Sequence, residues 1–193
     1  MNFRNSHVYS KNNPHAIRTA HHQHNFKVNV WLGMIGKKVL GPIFIEESLN
    51  SKRFRSLLEE KIQEIQDDLP LQMRHQMWFQ MDGCPAHSGR SVRKFMNENF
   101  RGRWIGCFGP VPWPPRSPDL TPLDFYVWGH LKEEVYKVEV RNVEELKERI
   151  VDSVVNLNQR RAELGRVTSA VVRRCRLCIR EAGGHFEHFI SSN

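Results

Sequence analysis

Six of the ten prolines in this chain fall within residues 110–122, at positions 110, 112, 114, 115, 118 and 122. Proline locks φ and removes a backbone donor, so neither a helix interior nor a central strand can pass through this stretch. It is predicted to be a rigid, extended loop. Helical spacing resumes directly after it through Leu123, Val127, His130 and Leu131, over residues 123–135, which places Asp124 near the first turn of a new helix. An anionic carboxylate is favoured there by the partial positive charge of the helix start.

Upstream of the prolines the pattern alternates. Residues 26–32 mix β-branched and aromatic side chains, and Gly36-Lys37-Lys38 separates them from a second apolar run at 39–45, which predicts a hairpin. Phe54, Leu57, Leu58, Lys61 and Ile65 then recur on one helical face, with Asn50 or Ser51 as N-cap and an end near Asp67, before Pro70. A short apolar run, 77–81, ends at Asp82-Gly83-Cys84-Pro85, whose Gly and Pro turn the chain out of a strand. A helix follows from about Ser88 with Val92, Phe95 and Met96 inward, and residues 104–108 read as another buried strand. Such alternation predicts an α/β sheet.

Downstream, Asn142 and Glu145 form a capping-box-like start for a stripe of Val143, Leu146, Ile150, Val154 and Leu157. A last helix is predicted from about Ala162. One of its faces carries Arg166, Arg173, Arg174, Arg176 and Arg180, open to two readings: a track for a phosphate backbone, or the solvated side of an amphipathic helix.

The net charge of +8 favours an anionic partner, and the first 45 residues contain no Asp or Glu beside Arg4, Lys11, Arg18, Lys27, Lys37, Lys38 and five histidines. That end is a phosphate-facing surface or a solvated basic one. Four cysteines in 193 residues are too few to staple a fold of this size, which favours a reducing, intracellular setting. No apolar run approaches the roughly 18 residues of a membrane span, and residues 1–25 lack the apolar stretch of a signal peptide. Cys175 and Cys178 share helical spacing with Val171 and Ala182, so they read as a buried stripe rather than half of a zinc site.

Two carboxylates stand where chemistry is commonly done: Asp82 where a strand leaves the sheet, and Asp124 where a helix begins. At about 4 Å apart they would repel by roughly 4 kcal/mol at an effective dielectric near 20, so such a pair calls for a cation or a shared proton. Magnesium suits that role in phosphoryl transfer, because it takes oxygen ligands and is often held by one or two carboxylates. Taken singly, each Asp also fits an ordinary turn or helix-start position.

The surrounding residues are more specific. Met77-Trp-Phe-Gln-Met-Asp-Gly-Cys-Pro-Ala-His87 resembles the second-aspartate motif of mariner-type DNA transposases. Trp113-Pro-Pro-Arg-Ser-Pro-Asp-Leu-Thr-Pro-Leu-Asp-Phe-Tyr-Val-Trp-Gly129 resembles the third, in which the metal-binding acid follows Pro-Leu and therefore corresponds to Asp124 rather than Asp119. The resemblance runs from about His7 to Phe189 and covers residues 1–193 as one partial catalytic domain with no separate amino-terminal DNA-binding domain. It implies a ribonuclease H-like mixed sheet flanked by helices, lacking its first strand, with a helical C-terminal extension. It implies Mg2+ or Mn2+ held by Asp82 and Asp124 at one sheet edge, DNA as partner, a homodimer, and a nuclear location. His87 and Arg116 are expected near the site or on DNA, and Lys37, Lys38, Arg173 and Arg174 on phosphates.

The family's first catalytic acid sits on the opening strand in a motif resembling Asp-Glu-Ala, and no acid precedes Glu46 in this chain. Glu46, Glu47, Asp67 and Asp68 do not match that motif. The expected state is a transposase catalytic remnant that does not cleave, probed against two alternatives: a host-adopted DNA-binding module and a fragment without function.

Overall fold

A computed structural model describes residues 26–67, 69–115 and 117–190. The basic and histidine-rich segment 1–25 and Arg116 lie outside the described residues. The predicted hairpin is present as β1 (Asn29–Ile35) and β2 (Lys38–Ile45), antiparallel, with Ile35 opposite Lys38. Its two-residue loop puts Gly36 at φ 55°, a positive value matching the twist of hairpin strands, which glycine adopts without a Cβ clash.

Helix α1 (Ser51–Asp67) follows, and the choice of N-cap is settled in favour of Asn50, whose Oδ1 accepts from the N–H groups of Lys52 and Arg53 at 3.1 and 3.0 Å. A short helix α2 (Leu71–Gln76) was not anticipated, because it buries no residue and so has no apolar period to detect. Next come β3 (Phe79–Gln80), a 3-10 turn (Pro85–Ser88), α3 (Arg90–Asn99) and β4 (Trp104–Gly106).

The proline stretch holds more structure than a loop. Val111–Pro112 forms β5, which pairs with β4 through Ile105 and Gly106, and Pro118–Leu120 forms a 3-10 turn. In the strand order β3-β4-β5 the proline-bearing strand is at the edge, where a missing N–H leaves no ladder partner unpaired. The strands are thus hydrogen-bonded as an antiparallel pair and a parallel set of three. Residues 123–135 are helical as expected, but the first part, Leu123–Val127, is π-helical before α4 (Trp128–Val135). Helices α5 (Val143–Gln159) and α6 (Arg161–Arg180) complete the C-terminal extension.

Strand β1 divides the interior in two. Successive side chains leave a strand on opposite faces, so Trp31 packs against a core of Phe54, Leu58, Phe95, Met96, Phe100 and Trp104, while Leu32 joins a second core with Val127, Leu131, Val154, Leu157 and Leu164. Asp82 leaves the first core at the end of β3, and Asp124 leaves the second at the start of the π-helical turn.

Asn158 of α5 locks the hairpin to the helical layer: its Oδ1 accepts from the Val39 N–H at 2.8 Å and its Nδ2 donates to the Val39 carbonyl at 2.9 Å. This pairing satisfies both main-chain groups of a buried residue on the outward edge of β2. Asn158→Ala is expected to lower the unfolding free energy by about 1–3 kcal/mol, because two main-chain groups lose their partners. Urea denaturation checks this, and an unchanged midpoint would show that water replaces the amide without loss.

Candidate metal centre

The Asp82 side chain is held by its own loop. Its Oδ1 accepts the Cys84 N–H at 3.0 Å, a turn that Asp favours before Gly. His87 Nδ1 lies 2.7 Å from the same oxygen, at hydrogen-bonding distance but without a well-aligned N–H···O geometry. The imidazole is in turn covered by the Phe54 ring, with centroids 4.1 Å apart. The sequence placed His87 near Asp82, and the structure brings the two together. It gave no sign of Phe54, 33 positions upstream of His87, because an apolar helical residue announces burial but not what it is buried against.

Asp124 sits in the π-helical turn, its N–H donating to the Thr121 carbonyl at 2.9 Å. Such turns recur at functional sites because the extra residue re-aims a side chain. The turn is braced from α6 on two sides. Tyr126 donates its hydroxyl to Glu163, and burial, followed by that carboxylate, pushes the phenol up to about 12. The Arg174 guanidinium lies 3.9 Å from the Phe125 ring centroid and donates to the Asp119 carbonyl at 2.7 Å and to Glu187 Oε1 at 3.2 Å.

That arrangement corrects one expectation. Arg174 was expected to face DNA phosphates, yet its side chain is only 12% exposed and all its interactions are internal. It closes the proline loop onto α6 and packs on Phe125, the residue after Asp124. Helical spacing could not show this, since Asp119 and Phe125 lie in segments distant in sequence from α6. Arg173, too, has a partner within the protein. Lys37 and Lys38 are exposed at the hairpin tip, where the Lys37 stem lies over Gly165 of α6.

The charge of Asp82 reaches Asp124. Asp124 is held above the ordinary carboxyl range, first by desolvation and then by the charge of Asp82, with Lys132 pulling the other way. Asp82 is held below its ordinary value, chiefly by His87 and secondarily by the Cys84 N–H, against partial burial. Among the described residues, no third carboxylate contributes to either shift.

The signs differ for stability. Asp82 contributes stability above its unfolded pKa and loses it as the pH falls through its lower folded value; protonating Asp124, which the fold disfavours as an anion, relieves repulsion from a higher pH downward. In a carbon-detected NMR titration Asp124 is expected to take its proton at higher pH than Asp82, and Asp82→Asn should move Asp124 down. Indistinguishable curves, or an Asp124 indifferent to Asp82→Asn, would mean the carboxylates are not coupled.

Asp82 and Asp124 together offer only oxygen donors and face solvent on one side, which fits a hard divalent ion that keeps several waters. A second grouping shares one of these residues: Asp82, Cys84 and His87 each present one ligand atom within 4.8 Å of the others. Cys175 and Cys178 are free thiols on α6 that join no such group among the described residues; the buried stripe expected of them is not formed, since Val171, Cys175 and Cys178 are only half-buried and Ala182, beyond the end of the helix, is exposed.

Comparison with known proteins bears on this geometry. The family model of the DDE superfamily endonucleases matches residues 4–147. The transposase of transposable element Tc3 from Caenorhabditis elegans is 31% identical over 109 residues, 56% of this chain but only 30% of that protein. Among solved structures, the catalytic domain of Mos1 mariner transposase aligns with a TM-score of 0.65 at 18% identity, covering 80% of this chain and 74% of that one. The Mos1 mariner paired end complex with Mn aligns with a TM-score of 0.71 at 18% identity, over 94% of this chain and 52% of that one. At these identities the structural likeness establishes the fold.

Proposed function

Because the chain belongs to the DDE superfamily endonucleases and carries the fold of a mariner transposase catalytic domain, we propose that Asp82 and Asp124 hold a divalent cation against DNA, in a site built for strand cleavage and joining at element ends. The observation that carries this reading is that the loop after β3 and the π-helical turn, delivered from separate cores, set two aspartates near enough for the charge of Asp82 to push the Asp124 carboxyl up. Nothing in packing requires like charges to approach, and their repulsion is relieved by a bound cation.

Mg2+ or Mn2+ bound there would supply charge neutralisation and Lewis acidity for displacement at phosphorus. The protein's part is to keep the two acids in place. His87 and the Cys84 N–H orient Asp82, while Arg174 and the Tyr126–Glu163 pair fix the turn that carries Asp124. Support for both metals comes from the Mos1 paired end complexes, solved with Mn and with Mg. The left transposon end in one such Mos1 complex favours DNA as partner; a homodimer and a nuclear location belong to the same proposal. Among the described residues no helix is long and apolar enough to cross a membrane.

We read the 193 residues as catalytically incomplete by themselves, one partial catalytic domain whose third acid is not supplied by residues 1–45. Of the nearest later acids, Glu47 pairs with Arg53 at the start of α1. The +8 charge leaves DNA binding without cleavage as the activity the chain can keep.

Mn2+ binding followed by electron paramagnetic resonance tests the metal site: Asp82→Ala and Asp124→Ala are each expected to weaken it by at least about tenfold. Equal affinity in all three proteins would remove the proposal. Lys37, Lys38 and Arg173 are proposed phosphate contacts. DNA affinity should therefore fall steeply with salt, by a slope of about 0.9 per neutralised phosphate, and the Lys37→Ala/Lys38→Ala variant should flatten it by up to about two such steps. A salt-independent affinity would rule out the electrostatic footing.

A further inference from the structure

We propose that the loop Asp82-Gly83-Cys84-Pro85-Ala86-His87 is a second kind of metal site, in which Asp82, Cys84 and His87 bind a borderline-soft cation of the Zn2+ class. The three ligand atoms already lie within 4.8 Å of one another. They converge for local reasons. Cys84 caps the 3-10 turn Pro85–Ser88 and His87 is its third residue, closed by the His87 N–H donating to the Cys84 carbonyl at 2.9 Å. In a 3-10 helix residues three apart eclipse, so the thiol and the imidazole rise on one side. The Cys84 N–H pulls the Asp82 carboxylate back over the same side, and the Phe54 ring holds the imidazole from beneath.

The donor set decides the metal. A thiolate and an imidazole are poor ligands for Mg2+, which demands oxygen, and good ones for Zn2+, at about 2.3 and 2.0–2.1 Å. Three protein ligands leave the fourth tetrahedral position open. Two ligands at about 2.05 Å on a tetrahedral ion sit roughly 3.3 Å apart, so His87 Nδ1 and Asp82 Oδ1, now 2.7 Å apart, separate slightly to admit it. As the metal–sulfur bond forms, the Cys84 thiol releases its proton to solvent. Asp124 takes no part, and occupancy of this site withdraws Asp82 from the oxygen-only pair. The site therefore acts as a competitor to Mg2+ or Mn2+, and its existence does not depend on the catalytic reading.

The test uses the full chain with Co2+ as a spectroscopic stand-in for Zn2+. One equivalent of Co2+ is expected to produce a thiolate-to-cobalt charge-transfer band that Zn2+ abolishes by displacement, in the intact protein and equally in Asp124→Ala and Cys175→Ser/Cys178→Ser. Cys84→Ser and Cys84→Ala, which change few atoms at a half-buried loop position, should each lose the band, and His87→Ala should weaken Zn2+ binding by about tenfold or more. Mn2+ affinity, measured on the same proteins, separates the two sites, because Asp124→Ala lowers it while leaving the cobalt band. A band that survives both Cys84 variants, or that vanishes with Cys175 and Cys178, would overturn the proposal, as would no band with the intact chain.

Discussion

Mixed with element-end DNA and abundant Mg2+ or Mn2+, the 193-residue chain alone is expected to leave both strands intact. Asp82 and Asp124 are proposed to hold an ion, but among the described residues no third carboxylate shifts either of them, and no Asp or Glu occurs before Glu46. In-line displacement at a phosphate depends on fixed positions for the attacking and leaving oxygens, and a misplacement of about 1 Å can cost roughly 100-fold in rate. A fusion that places an Asp-bearing strand and a DNA-binding region ahead of Met1 is therefore expected to nick such DNA at least about 100-fold faster than the chain alone. Asp82→Ala or Asp124→Ala in that fusion should abolish the gain. Robust nicking by the unfused chain, lost on Asp82→Ala, would show that another of its own acids completes the site.

The second large effect concerns the fold and the site together. Phe54→Ala should destabilise the protein by about 3–5 kcal/mol, the range for emptying a buried aromatic site, out of a total that for a domain is about 5–15 kcal/mol. Phe54 is 1% exposed at the centre of the first core and also backs the His87 ring. Phe54→Leu keeps most of the volume, and the cost of such a swap is typically under about 1.5 kcal/mol. In that milder variant the imidazole loses its aromatic face, so the Asp82 carboxyl should move up toward its ordinary value while the protein stays folded. Chemical denaturation with the carboxyl titration measures both. A Phe54→Ala protein less than about 1 kcal/mol weaker would mean that the core collapses around the gap.

Where the chain carries strong local rules, the sequence alone located the element. β-Branched and aromatic runs broken at Gly36 found β1 and β2, the 3.6-residue period found α1, α3, α5 and α6, and Asn142 was identified as a cap that indeed accepts the Glu145 N–H at 2.7 Å. The prolines marked the segment that could not be helix interior or central strand, and it holds only an edge strand and a 3-10 turn. Asp82 and Asp124 were singled out as a pair by the motifs around them, and His87 as their neighbour. The elements depend on residues close in sequence, whose side chains and backbone interact whatever surrounds them, whereas the two aspartates, far apart in the chain, were paired by the resemblance of their motifs.

Tertiary structure decided what depends on distant segments meeting. Arg174 was legible as a positive charge on a helix, but its burial against Asp119 and Phe125 came from the packing of α6 on the proline loop. Packing of α6 on the π-helical turn sets Tyr126 against Glu163, and packing of α5 on β2 sets Asn158 against Val39. The opposite shifts of the two aspartates have the same origin. Both are Asp at the end of a motif, with the same intrinsic acidity; one acquires an imidazole 2.7 Å away, and the other acquires desolvation and a like charge. Sequence named Asp82 and Asp124 as the carboxylates of the proposed site. Their electrostatics followed from what the fold brought beside each, because a pKa answers to charges and burial in space and not to position along the chain.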